Sequence, residues 1–206
     1  MDQVKINGVF RPRLDIKDRN LLIPGEVVDV RVAEMGKDVS EFIASSAKPI
    51  VIAAVLTGGV SFCMDLCKHL HPNYRVAYLH ASRYGGSEHG NDVTFKYSTL
   101  GNVKGHTVII VDDIGDGRNT LDYLTRFVLL EGAAQVKTCV LLNKPSRKEA
   151  DVPLDWVGFN IPNVFVWGRG LDGGNATQAT RNDYDVCHFG LHPGGANYTI
   201  PTQFPC

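Results

Sequence analysis

An α/β fold, a mostly parallel twisted sheet flanked by helices, is the architecture this sequence predicts. Two runs carry the prediction. Ile50-Val51-Ile52-Ala53-Ala54-Val55-Leu56 and Val108-Ile109-Ile110-Val111 are apolar at every position, as strands of a parallel sheet covered on both faces are. Between and beyond them lie stretches with apolar residues three and four apart, the period of a helix with one buried face. Strands alternating with helices make a parallel sheet with crossover connections.

Residues 1–24 hold basic residues from Lys5 to Arg19 and little periodicity, and read as an irregular arm or a short strand. From Pro24 a helix is expected, because Val28, Val32, Met35, Val39, Phe42 and Ile43 share one face. The strand Pro49–Leu56 follows, then a turn at Thr57-Gly58-Gly59 and a second helix with Val60, Cys63, Cys67 and Leu70 inward. Tyr74–His80 is a strand. Residues 82–92 are polar and rich in Gly, a composition suited to a lid, and Val93–Tyr97 flanks it. Strand 107–111 leads to a helix over 119–131 with Leu121, Leu124 and Val128 inward and Gly132 as its stop. Val136–Leu142 is a buried strand ended by Asn143-Lys144-Pro145. Trp156–Phe159 and Val164–Trp167 are expected to complete the core, and the tail from 173 to be irregular. No internal repeat or linker divides the 206 residues.

The chain is 44% apolar and 21% charged with a net charge of -1, which disfavours a general nucleic-acid binder. No apolar run approaches the roughly 18 residues of a membrane span, and Met1–Lys5 shows no apolar signal core. A cytoplasmic protein is expected. The five cysteines form no C-x-x-C pair, so a zinc site is disfavoured. Asn175-Ala-Thr177 and Asn197-Tyr-Thr199 match the glycosylation triplet but carry little weight without a secretion signal.

The chemistry gathers after the central strand, in Asp112-Asp113-Ile114-Gly115-Asp116-Gly117-Arg118-Asn119-Thr120. Open α/β sheets bind ligands at the C-terminal edge of their strands. A polar turn opening a helix offers free N–H groups and the positive dipole end to a phosphate. Asp112 and Asp113 can hold a divalent ion or a ribose diol, and Asp116 can move a proton. Three acids so close repel one another unless a cation or hydroxyl donors lie among them. Thr57-Gly58-Gly59 is a tight turn or a second anion cradle. Lys144, at a strand end, is either an exposed lysine or a donor to a carbonyl oxygen. Gly168-Arg169-Gly170-Leu171-Asp172-Gly173 matches G-x-G-x-x-G, but no helical pattern follows it, so the dinucleotide reading is rejected.

Taken together these segments resemble one family. Val108–Thr120 is similar to the phosphoribosyl pyrophosphate (PRPP) signature of type I phosphoribosyltransferases. Leu142-Asn143-Lys144-Pro145, Asp155-Trp156-Val157-Gly158-Phe159, Ile161-Pro162 and Phe165–Asp172 resemble the purine-recognising half of hypoxanthine-guanine phosphoribosyltransferases. Leu56–Val60 and Ala81–Gly85 resemble a bacterial branch. The resemblance covers residues 25–185 and implies one domain over 1–206, with a core at about 25–172 and a hood from 1–24 and 150–206. It implies displacement of pyrophosphate from PRPP by a purine nitrogen, with magnesium as cofactor and a homodimer or homotetramer as the assembly. It further implies that Asp112 and Asp113 lie under the ribose hydroxyls and the magnesium shell, and that Asp116 is the general base. Gly117, Arg118, Asn119 and Thr120 would hold the 5'-phosphate. Thr57, Gly58 and Gly59 would hold pyrophosphate, with Arg83 and Tyr84 also on the substrate. Lys144 would donate to the purine 6-oxo group. Phe165 or Trp167 would stack on the base, the Val166 backbone would read its edge, and Asp172 would bind a second magnesium. The loop 82–92 would close over the site.

The match has departures. The phosphate loop, commonly Asp-x-Gly-x-Thr, here has its glycine shifted by one, so Arg118 stands where Gly is usual. Gly115 replaces an apolar residue and is expected to loosen the turn before Asp116. Arg169 stands where an aromatic is common. Gln178 occupies the place of a family arginine, for which Arg181 is the substitute. The readings kept beside the transferase for hypoxanthine or guanine are a relative with altered base choice, such as xanthine, and a non-catalytic nucleotide-sensing protein on the same scaffold.

Overall fold

The computed structural model describes residues 3–6, 9–12, 20–83, 93–171 and 186–188. Its centre is a six-stranded sheet of β4 (Ile50–Val55), β5 (Arg75–Arg83), β6 (Val93–Ser98), β7 (Thr107–Gly115), β8 (Gln135–Asn143) and β9 (Trp156–Asn160), in the order β6-β5-β4-β7-β8-β9. All neighbours run parallel except the edge pair β5–β6. From β4 the chain moves outward to β5, and from β7 it moves outward the other way to β8. The loops after β4 and β7 therefore part company, and a crevice opens between two adjacent strands at their C-terminal ends.

Helices α1 (Gly25–Ser45) and α2 (Gly59–Cys67) cover one face of this sheet, and α3 (Asn119–Leu130) covers the other. The expected stripe on α1 is the buried one: Val28, Val32, Met35, Val39 and Ile43 pack with Ile52, Ala54, Ile109 and Leu141, while Phe42 meets Trp156 edge to face. On the opposite face Leu121, Leu124 and Val128 pack with Val51, Ala53, Val108 and Ile110. Each fully buried aliphatic side chain of this kind contributes about 1.5–3 kcal/mol. Arg31 joins α1 to the sheet edge by donating to the carbonyls of Val157 and Gly158 at 2.9 and 3.1 Å. Asp155 opens β9 by accepting from the Thr138 N–H and from Lys137 at 2.8 and 2.6 Å.

Three expectations are corrected. The central strand does not stop at Val111. It runs to Gly115, with Asp112 opposite Val140, Ile114 opposite Leu142 and Gly115 opposite Asn143. The acid pair is therefore mounted on a strand, not on a loop. Gly115 is buried and paired as the last residue of that strand, and does not loosen the turn. The segment expected over Val164–Trp167 forms only β10 (Val166–Trp167), and it does not extend the main sheet. It joins β11 (Val186–His188) and β3 (Asn20–Ile23) in a separate antiparallel sheet, in the order β10-β11-β3. The N-terminal arm holds a hairpin of β1 (Gln3–Ile6) and β2 (Val9–Pro12).

Candidate active site

The crevice between β4 and β7 is a cleft of about 260 Å³, lined by Thr57 and Gly58 on one side and Asp112, Asp113, Asp116, Arg118 and Thr120 on the other. The two anion cradles and the acids expected from the sequence thus meet in one place. The approach of the two loops is very close. A Cβ built on Gly58 would lie 2.0 Å from Asp113 Oδ2, and one on Gly59 would lie 2.8 Å from the Val111 carbonyl oxygen. Only glycine allows the first cradle to sit against the acid pair. The Leu56–Thr57 peptide before it is cis.

Asp112 and Asp113 are both about 8% exposed. Burial, and then the neighbouring Asp113 carboxylate, pushes the Asp112 carboxyl well above the usual carboxylate range. The Asp113 N–H donates to Asp112 Oδ1 at 3.0 Å. A cation would relieve this crowding. The pair supplies two hard oxygen donors, and no group of three or more His, Cys, Asp or Glu fit for a metal occurs among the described residues. That donor set suits a magnesium ion, which keeps most of its waters and binds through one or two carboxylates plus a phosphorylated substrate.

Asp116 begins the loop between β7 and α3. Gly117 and Arg118 follow in left-handed backbone, with φ 56° and 65°. Glycine adopts this freely; for arginine it costs about 1–2 kcal/mol. The loop is compact: the Arg118 N–H donates to the Asp116 carbonyl, and α3 then starts with the Asp122 N–H donating to the Arg118 carbonyl at 2.9 Å. The first-turn N–H groups of α3 precede any such acceptor, which leaves them directed at whatever anion occupies the helix start. The Arg118 guanidinium is directed elsewhere, to the Val152 carbonyl and Asn143 Oδ1, at 3.2 Å each. Asn119 donates its side-chain amide to Glu149.

Lys144 is 6% exposed at the end of β8, with its Nζ 3.8 Å from Asp116 Oδ2. Burial lowers its pKa below the ordinary lysine value, and the Asp116 carboxylate opposes that shift. Arg147 Nε lies 2.9 Å from Asp116 Oδ1 and forms an ion pair with it. Sequence reasoning missed Arg147. Pro145 opens a short 3₁₀ turn over Pro145–Arg147, and a residue three past Lys144 lies one such turn on, beside it. That spacing was the available signal.

Phe165, Val166 and Trp167 are not among the residues lining the cleft. Phe165 is half-exposed, whereas Trp167 is 2% exposed with its ring enclosed. Arg169, also left-handed at φ 50°, pairs with Asp29 of α1 and Asp65 of α2 at 2.7 and 3.1 Å. Arg83 ends β5, and nothing further is described of its side chain. Tyr84, Asp172 and Arg181, with most of the expected lid and the tail, lie outside the described residues.

The phosphoribosyl transferase domain matches residues 31–173 of this chain. A hypoxanthine phosphoribosyltransferase of Salmonella typhimurium is 36% identical over 153 residues, covering 74% of this chain and 86% of that one. A hypoxanthine-guanine phosphoribosyltransferase of Mycobacterium tuberculosis is 33% identical over 163 residues, covering 77% and 80%. The solved structure of a Trypanosoma cruzi hypoxanthine phosphoribosyltransferase, in complex with the product IMP, superimposes with a TM-score of 0.75 at 30% identity, over 89% of this chain and 99% of that one. A sheet that opens between β4 and β7, an acid pair mounted on its central strand, and similarity across the same residues place this chain in the phosphoribosyltransferase family.

Proposed function

We propose that this protein transfers the 5-phosphoribosyl group of PRPP to hypoxanthine or guanine, giving the nucleoside monophosphate and pyrophosphate in purine salvage. One observation carries the choice of base. Lys144 Nζ and Asp116 Oδ2 stand side by side, 3.8 Å apart. A cationic donor next to an anionic acceptor complements the 6-oxo oxygen and the neighbouring N7–H of a 6-oxopurine. A 6-amino group would turn a donor toward the lysine, and a buried site built for hydrogen bonds rejects such a mismatch strongly.

In this reading the first-turn N–H groups of α3 and the Thr120 hydroxyl hold the 5'-phosphate, and Gly58 with its neighbours holds pyrophosphate. Asp112 and Asp113 bind the ribose hydroxyls and would hold magnesium. When bound, that ion offsets the charge of the leaving pyrophosphate. Asp172 would assist at a second ion, and Arg83, Tyr84 and Arg181 would contact substrate. The purine nitrogen bonds to the anomeric carbon as the bond to the pyrophosphate oxygen breaks, and the electron pair leaves with pyrophosphate. Asp116 takes the N7 proton, with Arg147 holding its other oxygen in place. Phe165 stacks on the base. Positioning and charge stabilisation supply most of the acceleration, and closure of the loop 82–92 keeps water from the anomeric carbon.

We read the whole chain as one unit, a core at about 25–172 under a hood built from both ends, assembled as a homodimer or homotetramer in the cytoplasm. Among the described residues no helix is long and apolar enough to cross a membrane. Pyrophosphate release measured with PRPP, magnesium and a panel of purines tests the function. Turnover with hypoxanthine or guanine and not adenine is the expected result. Nucleotide binding without release for any base removes the enzyme reading.

A further inference from the structure

Arg118 joins three segments that are remote in sequence. Its Nη1 donates to the Val152 carbonyl and its Nη2 to Asn143 Oδ1, each at 3.2 Å. Asn143, itself buried, passes the contact on: its Nδ2 donates to Asn160 Oδ1 at 2.7 Å, and its carbonyl accepts from the Ile161 N–H at 2.8 Å. Asn143 is the residue before Lys144. A second tie runs beside the first, where the Gly117 carbonyl accepts from the N–H groups of Glu149 and Ala150 at 3.0 and 3.1 Å. The helix start and the base-side strand ends are thus fastened to each other through a residue that has taken left-handed backbone to reach them.

We propose that Arg118 is a positioning residue, a strut that fixes the Lys144-bearing end of β8 relative to the phosphate seat at the start of α3. The inference rests on the function proposed above and deepens it. A phosphate ligand would keep its guanidinium free for the anion. Here both terminal nitrogens are engaged with protein, and the Nε is buried without a partner. The rigid fork of arginine suits two acceptors on different segments, which a lysine would not span. The unusual backbone at this position and the side-chain contacts then have one explanation: the backbone turn is what aims the fork across the loop.

A double-mutant cycle on the full chain tests this, using Arg118→Met, Asn143→Leu and both together. Each single change is expected to raise the KM for hypoxanthine about tenfold with a smaller effect on the KM for PRPP, and the double change is expected to be no worse than the poorer single one. Arg118→Gly takes the left-handed turn without strain and serves as the folding-safe variant; it should show the same rise for hypoxanthine. A rise confined to PRPP in the Arg118 variants, or effects of the two sites that multiply, overturns the strut. Thermal melting of the same proteins separates this from the function itself. If the parental chain releases no pyrophosphate with any purine, the transferase reading falls. Non-additive melting shifts still support the strut in that case, and additive ones remove it.

Discussion

Replacing Gly58 by alanine should injure both stability and catalysis through one contact. The new methyl would lie 2.0 Å from Asp113 Oδ2 and 2.6 Å from its Cγ, so the carboxylate must retreat by over an ångström. It has little room, being about 8% exposed between the first cradle and β7. Overpacking of a tight site costs about 1–3 kcal/mol, which for a chain of this size lowers the melting temperature by about 2–12 °C. Displacing a positioning group by an ångström costs on the order of 10²-fold in rate. The assay is a melting scan beside kcat/KM for PRPP. Combining the change with Asp113→Ala removes the clash, so melting should recover while turnover stays low. A Gly58→Ala protein that melts and turns over like its parent refutes the reasoning, as does a double variant that gains no stability over the single one.

Asp116→Asn should lower kcat by about 10²–10⁴-fold while the KM for PRPP changes little; equal losses in both would argue against a proton role, and steady-state kinetics decides. Lys144→Met should weaken 6-oxopurines by about 10–100-fold in kcat/KM, the worth of a charge-assisted hydrogen bond, and erase the preference over adenine in a base panel. Because burial holds the Lys144 pKa below the ordinary 10.5, the cation is lost as pH rises through that lowered value, and kcat/KM for hypoxanthine should fall there. Lys144→Arg should carry the fall to higher pH. The stability sign is the reverse: between the lowered pKa and 10.5 the unfolded chain holds more protons, so this group makes stability rise with pH across that interval. Melting scans should show a flatter alkaline profile in Lys144→Met. Gly158→Ala should destabilise by about 1–3 kcal/mol, since its Cβ would meet the Leu141 carbonyl at 2.4 Å and press β9 away from β8; an unchanged melting temperature would contradict that packing.

Much of the core was legible because its cause is local. The α1 stripe and the all-apolar runs of β4 and β7 are periodicities that burial imposes on the chain directly. The end of β7 was not. Aspartate usually marks a turn, yet here the ladder to β8 continues to Gly115, and the two acids open onto the cleft. Nor could β10 be assigned to its sheet. It pairs with 186–188, which pairs in turn with 20–23, and pairing over such separations leaves no signature within the segment. At the site, the acids and glycines were legible from residue type and place, whereas Lys144 could be read by itself as an exposed lysine or as a donor. Arg147 was hidden in a polar connection of ordinary composition, and the direction of the Arg118 side chain depended on Asn143 and Val152, 25 and 34 residues away.

The groups proposed for the sugar and some of those proposed for the base hang from different supports. Asp112 and Asp113 belong to the six-stranded sheet, whereas Val166 belongs to the small one, whose neighbouring loop is held to α1 and α2 by Arg169. A lineage can therefore reshape the stacking wall around the nucleobase by altering the lesser scaffold, while Lys144 and Asp116 stay anchored to the sheet that grips the ribose.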